Sequence, residues 1–535
     1  MTTRRSHTGW LAGVMLMNVS VGCAAAGDSA VEKLLGPAPQ QAPAWLDFIG
    51  TDGFHWKGGH DDPQIIAGRV RACPREMHDL LLGPDFPIDV TDQHPSGIPS
   101  IVGKFSGEVR IFDLNGTCQG QDFTSRVLAL NDAGFDLLPI IPGPRDRDSY
   151  LRITDKGAVW WKDAVYSLLK YYNTGKHAAR PLRHWEIGNE PNHPKWFNPM
   201  GYDWEHAPNQ WVYANLPEVA DIYAEDFLAP TIEAIRQASQ DVYGDPRAIK
   251  IVTGGIVGPN YKPAREWIER ALNHRIEGRT APTLKGKQAW EVVDIIGVHE
   301  MMARAAAWPP DRDSWQEGLT RYYNTWISTG TIEGLWSTEE CGLMGEGKGM
   351  DGGVTMMTAF RYLDWWSRHG WEPGKGLMSW WGLRYRPLAM KIQSDVVEFL
   401  GPSNALLNYT DLAQATGEGD IEIRAFAPKD GRPRLAIMVS SPLACDGIGS
   451  FGNNPRAYTL KQIAIPLAGD ASSLKARVSV KRVEPTGVTE IQSENVSEPF
   501  ALRLLMNESV PDQASTVFVV FVSFDSGGKE LGPPR

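Results

Sequence analysis

Between residues 45 and 400, short apolar runs alternate with longer segments that repeat apolar positions every three or four residues. The runs are WLDFIGTD (45–52), GEVRIFDL (107–114), FDLLPIIPG (135–143), HWEIGNE (184–190), IKIVTGG (249–255), VVDIIGVHE (292–300), GLWSTEE (334–340) and GLMSWWG (376–382). Short, nearly continuous apolar runs bounded by Gly, Pro and polar residues predict strands buried on both faces. Between two of them, Val219, Ile222, Tyr223, Phe227, Leu228, Ile232 and Ile235 fall near a period of about 3.6, which predicts a helix that Pro230 should kink. Strands joined by crossover helices pair in parallel. Seven or eight of them predict an α/β fold, a (β/α)8 TIM barrel, with an open doubly wound sheet as the structural rival.

Past residue 400 the helical segments stop. IEIRAFAP, RLAIMVSS, KQIAIPL, ARVSVKRVEP, FALRLLM and STVFVVFVSF follow one another with only polar and Gly/Pro turns between them, the pattern of an antiparallel β-sandwich. Ahead of the first run, GPAPQQAPA (36–44) reads as an extended linker. At the N-terminus, Arg4 and Arg5 precede an apolar stretch from Trp10 to Val21 and then small residues, the layout of a secretory signal peptide. The expected division is therefore a signal peptide at 1–26, a linker at 27–44, the barrel at 45–400 and the β-sandwich at 401–535. Cys23 follows SVG in the manner of a lipoprotein cleavage site, although Ser20 stands where an aliphatic residue is usual. That arrangement would put a lipid anchor on Cys23. No stretch reaches the roughly 20 apolar residues of a membrane span, so the expected location is secreted, periplasmic or at the cell envelope.

Charge and cysteine content narrow the chemistry. A net charge of −11 offers no basic field for phosphate backbones, and no nucleic-acid partner is expected. The five cysteines show no CxxC or zinc-finger spacing, and neither metal nor cofactor is expected. In an exported chain Cys73 and Cys118 would be the first pair to test for a disulfide. Twenty tryptophans supply flat apolar faces suited to sugar rings as well as to a core. Gly342, Gly347 and Lys348 imitate the start of a phosphate loop, but Gly349 replaces the hydroxyl that would hold magnesium, so a lid is the better reading.

The carboxylates lie where a barrel does its chemistry. In HWEIGNE, alternation puts Glu186 and Glu190 on one side, and only Glu190 reaches the C-terminal end, just before Pro191. LWSTEECG (335–342) ends in a second pair, Glu339 and Glu340. Two acids at the ends of separate strands can converge on a glycosidic bond, one as proton donor and one as nucleophile.

WEIGNEPN resembles the acid/base motif of the large clan of retaining glycoside hydrolases built on (β/α)8 barrels. It is closest in texture to family 39, the β-xylosidase and α-iduronidase group, and to family 79, the β-glucuronidase and heparanase group. WSTEECGLMGEGKG is similar to the W-x-x-E and Gly-rich loop of the latter. The resemblance spans roughly residues 100–400. It implies that Glu190 is the general acid/base, that Asn189 donates to the sugar 2-hydroxyl, and that Glu339 is the nucleophile, with Glu340 the competing choice because Glu340-Cys341-Gly342 fits an E-x-G pattern. It also implies that Arg110 lies near the nucleophile, that His299 lines the site, and that Trp380 or Trp381 forms the floor beneath the sugar. His55 and Trp56 could line the same pocket, and Trp196 could reach the leaving-group sugar. The clan's tyrosine near His299 is not matched, since Met301 stands at one candidate position. The implied partner is an oligosaccharide or polysaccharide. The alternative function is a non-catalytic carbohydrate-binding protein on an inactivated barrel.

Overall fold

The computed structural model describes residues 49–52, 69–71, 136–141, 145–146, 149–150, 153–155, 157–194, 196–200, 216–299, 301, 315–340, 361–370, 372, 374–381, 395–396, 398–401, 404–407, 422–428, 432–440, 459–466, 476–484, 487–496, 501–507 and 517–524. The expected signal peptide and linker, all five cysteines, the Gly-rich loop, Arg110, His55 and Trp56 lie outside the described residues.

A nine-stranded parallel sheet organises the first part. Its strands are β1 (Ile49–Asp52), β2 (Arg69–Arg71), β3 (Asp136–Leu138), β4 (Ile140–Ile141), β5 (His184–Asn189), β6 (Lys250–Val257), β7 (Ile295–His299), β8 (Gly334–Glu340) and β9 (Gly376–Trp381). In space the order is β3-β2-β1-β9-β8-β7-β6-β5-β4. Seven of the eight predicted runs thus contribute strands. The exception is GEVRIFDL, which lies outside the described residues, and the place between β1 and β3 is held by Arg69–Arg71.

The connections are helical. Helices α1 (Gly157–Asn173), α2 (Pro217–Tyr223), α3 (Ala229–Tyr243), α4 (Lys262–Asn273) and α5 (Trp315–Tyr322) cover one face of the sheet. In α1 the buried residues Ala158, Trp161, Val165, Leu168, Leu169 and Tyr172 recur every three or four positions, a stripe that faces the sheet. The Trp161 indole, buried against α3, donates to Thr231 Oγ1 at 2.9 Å, which removes the cost of an unmet N–H. A π-helical turn, Ala224–Leu228, joins α2 to α3, and Pro230 sits in the first turn of α3. Proline has no N–H to give to the carbonyl four residues back, so the turn ahead of it is free to widen. Helix α3 stops at Gly244, whose φ of 71° is the left-handed conformation that closes the last turn.

Strand alternation splits the apolar residues of the sheet. Trp185, Ile187, Ile251, Ile296, Val298, Leu335 and Met378 face the helices and join the main core. On the opposite face Leu138, Val252, Ile295, Trp336 and Leu377 form a separate cluster, one residue from each of five strands. Towards the C-terminal ends of the strands this same face turns polar, with Glu186, Thr338 and His299 all buried.

Past residue 400 the strands are antiparallel: β10 (Asn404–Leu407), β11 (Glu422–Pro428), β12 (Arg434–Ser440), β13 (Thr459–Pro466), β14 (Ala476–Glu484), β15 (Gly487–Val496), β16 (Ala501–Asn507) and β17 (Val517–Phe524). They form a six-stranded sheet ordered β10-β11-β12-β17-β14-β15 and a β13-β16 pair. The first sheet packs on residues 395–401 through Phe399 against Phe521, with Arg434 Nη1 donating to Phe399 O at 2.8 Å and Lys481 Nζ 2.9 Å from Asp395 Oδ2. Among the described residues no helix is long and apolar enough to cross a membrane.

Candidate active site

Strand β5 delivers the first acid. The chain turns sharply behind it: Gly188 has φ of 87°, Glu190 has φ of 44°, and His193 N–H donates to Glu190 O at 2.7 Å. Glu190 is the one non-glycine residue with positive φ among those described. Such a backbone costs a side-chain-bearing residue energy and persists where surrounding structure enforces it. Enforcement is visible on both flanks. Asn192 donates from Nδ2 to Val257 O at 2.9 Å and accepts from Val257 N–H at 3.0 Å, tying the turn to the end of β6. Tyr223 donates to Ile187 O at 2.9 Å and accepts from Gly254 N–H at 3.0 Å. Burial pushes the Tyr223 phenol well above its ordinary range, with the Gly254 bond opposing and the Glu186 charge adding to the rise. It remains a neutral donor.

Strand β7 ends in His299, which is fully buried. Its ring rests on the backbone of β6: a Cβ added to Gly255 would lie 1.9 Å from His299 Nε2. The seat therefore has to be glycine. His299 Nδ1 is 3.0 Å from Glu190 Oε1 and 3.6 Å from Glu339 Oε2. The two glutamates are each 16% exposed in their side chains while the imidazole is 0% exposed, so the acids reach solvent and the ring does not.

Strand β8 presents Glu339 and Glu340 through a register irregularity after Ser337 in its pairing with both neighbours. Glu339 points to the His299 side. Glu340 is fully buried and accepts from Ser337 Oγ at 3.0 Å. Its charge also reaches Tyr362, on the helix at 361–368, where burial first and Glu340 after it raise the phenol. The two adjacent acids thus serve opposite faces of one strand.

Behind His299 stands Glu186, buried in the middle of β5. Its Oε1 accepts Gly255 N–H and Thr338 Oγ1, both at 2.9 Å, and lies 3.8 Å from His299 Nε2. Glu186 had only its side of the strand to recommend it in sequence. What marks it, the register of β5 against Gly255 and the contact with Thr338, is non-local.

The other predicted residues are placed as follows. Asn189 is buried at the last position of β5, paired in register with Gly255. Trp380 and Trp381 end β9, with backbone partners Thr51 and Glu340 for the first and Asp52 for the second. Trp196 is half-buried and packs against the main core. Met301 belongs to that core and gives only its carbonyl, to Asn260 Nδ2 at 2.5 Å.

Glu190, His299 and Glu339 each offer one atom within 4.8 Å of the other two. This spacing suits the sharing of protons between two acids and an imidazole, or the placing of two carboxylates around one reacting carbon. The donor types would also suit a borderline cation, and no metal is assigned to them.

No protein-family model matches the chain, and no curated protein matches it by sequence. Its fold is similar to solved structures of glycoside hydrolases. A glucosidase from Croceicoccus marinus superposes with a TM-score of 0.52 at 12% identity, over 91% of this chain and 96% of that one. A family 86 glycoside hydrolase in complex with neoagarooctaose gives a TM-score of 0.52 at 9% identity, over 92% of this chain and 77% of the other. At these identities the likeness is one of fold. The parallel sheet with its helices and the glycosidase neighbours fit an α/β barrel.

Proposed function

We propose that the chain is a secreted retaining O-glycoside hydrolase acting on an oligosaccharide or polysaccharide, with Glu190 as general acid/base and Glu339 as nucleophile. The observation that carries this reading is the convergence of both carboxylates on His299 at the C-terminal ends of β5 and β8. Their ligand oxygens lie within 4.8 Å, closer to the separation of about 5–5.5 Å in retaining enzymes than to the roughly 6.5–9.5 Å that leaves room for a water in inverting ones. Glycosidase neighbours of the same fold support the reaction class. The sheet order supports closure into a barrel, since its two ends, β3 and β4, are halves of one segment separated only by Pro139. Counting them as one gives eight strands. The proposed organisation remains a signal peptide to residue 26, a barrel over 45–400 and a sandwich over 401–535. Lipid anchoring at Cys23 is proposed with it.

In the first step Glu339 attacks the anomeric carbon as the bond to the leaving oxygen breaks. Glu190 gives its proton to that oxygen, leaving a glycosyl ester on Glu339. In the second step Glu190, now a carboxylate, takes a proton from water, whose oxygen displaces Glu339 and restores both acids. His299, shut away from solvent, fixes the two carboxyls relative to each other. Asn189 is set to bond the 2-hydroxyl, and Trp380 or Trp381 to stack beneath the ring.

The test is Glu190→Ala assayed on a panel of aryl glycosides. Turnover should fall by about 10²–10⁴-fold and recover with azide, giving a glycosyl azide of retained configuration. Undiminished turnover in the variant would sink the assignment, and a wild-type chain that binds glycans but releases no aglycone would instead make it a binding protein.

A further inference from the structure

We infer that Glu186 is a positioning residue: from behind, it holds His299 as a cation, so that the Nδ1–H is available to Glu190 and Glu339 in turn. This rests on the retaining reading above.

Three carboxylates face one imidazole. Glu186 of β5 approaches Nε2 at 3.8 Å, while Glu190 and Glu339 approach Nδ1 at 3.0 and 3.6 Å. Strand β6 sets the backbone of Gly255 against the ring. An Nδ1 lone pair would repel whichever of the two carboxyls is charged, whereas an N–H satisfies it as the charge passes from one to the other. The Glu186 oxygen is too far for a good direct hydrogen bond with Nε2 but well inside the 4–6 Å or so over which an opposite charge favours the ionised form.

Glu186 is itself prepared to be an anion. Its Oε1 receives two donors, the Gly255 amide and the Thr338 hydroxyl, each at 2.9 Å, and donors to a carboxylate favour its charged state. A glutamine there could accept the same two bonds through its amide oxygen without the cost of burying a charge. The charge distinguishes glutamate from glutamine at this position, and the His299 ring lies 3.8 Å from the charged oxygen.

The consequence for the reaction is a fixed cation beside two acids whose charges alternate. While Glu190 is protonated, Glu339 is the carboxylate and takes the Nδ1–H. Once Glu190 has given its proton to the leaving oxygen and Glu339 has become an ester, Glu190 is the carboxylate and takes it instead. His299 keeps both of its protons throughout, so no proton is lost or gained by the ring.

The experiment uses the full chain, with histidine side chains labelled for NMR and the His299 signal identified by its loss in His299→Asn. In Glu186→Gln the His299 ring should lose its proton about one pH unit or more below wild type. The kcat/KM of the same variant should fall at least tenfold on alkyl or disaccharide substrates, which need the acid. On dinitrophenyl glycosides, whose leaving group does not, it should fall by less, since there only the support of Glu339 is lost, and Glu186→Asp should restore most of the loss. An unmoved His299 titration, or equal losses on both substrate types, would overturn the inference. Where Glu186→Gln fails to fold, Thr338→Val, which strips one donor from Glu186, should shift His299 in the same direction by less, and no shift there counts against it equally. The two readings fail separately: an unmoved ring with an azide-rescued Glu190→Ala removes only this inference, and full activity in Glu190→Ala removes only the glycosidase mechanism.

Discussion

Glu339 and Glu340 are neighbours in the chain and strangers in space: Glu339 Oε2 lies 3.6 Å from His299 Nδ1, while Glu340 Oε2 lies 3.0 Å from Ser337 Oγ on the helix-facing side of the strand. Glu339→Gln should therefore reduce turnover by three or more orders of magnitude, in line with loss of a covalent catalyst. Glu340→Leu should keep turnover within tenfold and instead lower stability by about 1–3 kcal/mol, because the buried Ser337 hydroxyl loses its acceptor. Peptide mapping after labelling with a 2-fluoro glycoside checks the same point, with the adduct expected on Glu339.

Gly255 is the seat of the imidazole. In Gly255→Ala the new methyl would meet His299 Nε2 at 1.9 Å, so the ring has to move off its place between the acids. A displacement near 1 Å at a catalytic group costs about 10²-fold in rate, and kcat should fall by that order while circular dichroism stays native.

Asn192 mimics a backbone strand partner for Val257, through bonds of 2.9 and 3.0 Å. Asn192→Ala leaves the Val257 amide and carbonyl buried without it, at a cost of about 2–3 kcal/mol. Urea unfolding should show that loss, and the slackened turn after Glu190 should lower kcat more than it raises KM.

A second ionic cluster, away from the site, sets a pH window for stability. Burial opposes ionisation of Glu225, but bonds from His274 and from the Glu277 and Arg279 amides outweigh it and hold the carboxyl below its ordinary 4.5. The Glu225 bond, ahead of opposing burial and of the Asp221 charge, raises His274 above its ordinary 6.5. A lowered acid stabilises above its unfolded value and loses that contribution as pH falls through the folded one. A raised histidine stabilises below its unfolded value and loses that contribution as pH rises through the folded one. Both are charged between about 4.5 and 6.5. His274→Asn should cost about 1–2 kcal/mol inside that window and less on either side, as calorimetry from pH 4 to 8 would show.

Eight of the nine strands of the parallel sheet could be read along the chain, from seven runs, because a strand buried on both faces leaves a continuous apolar signature, and β3 and β4 together were one such run. Arg69–Arg71 left none, being three residues with charges at both ends. In the antiparallel part, Gly487–Val496 went unread for a different reason. It is an edge strand whose described side chains are largely exposed, so nothing forces alternation on it. The π-turn before Pro230 could be read as an irregularity but not as a widening. Glu190 and Glu339 announced themselves as acids at strand ends. Glu186 did not, because its meaning depends on which glycine and which threonine the folded sheet brings beside it.

The left-handed backbone at Glu190 sets activity against robustness. A residue with a Cβ pays about 1–2 kcal/mol to sit at such a φ, and glycine does not. Glu190→Gly should be dead as a catalyst yet melt at a higher temperature than the working protein, a trade in which selection for durability alone would erase the function.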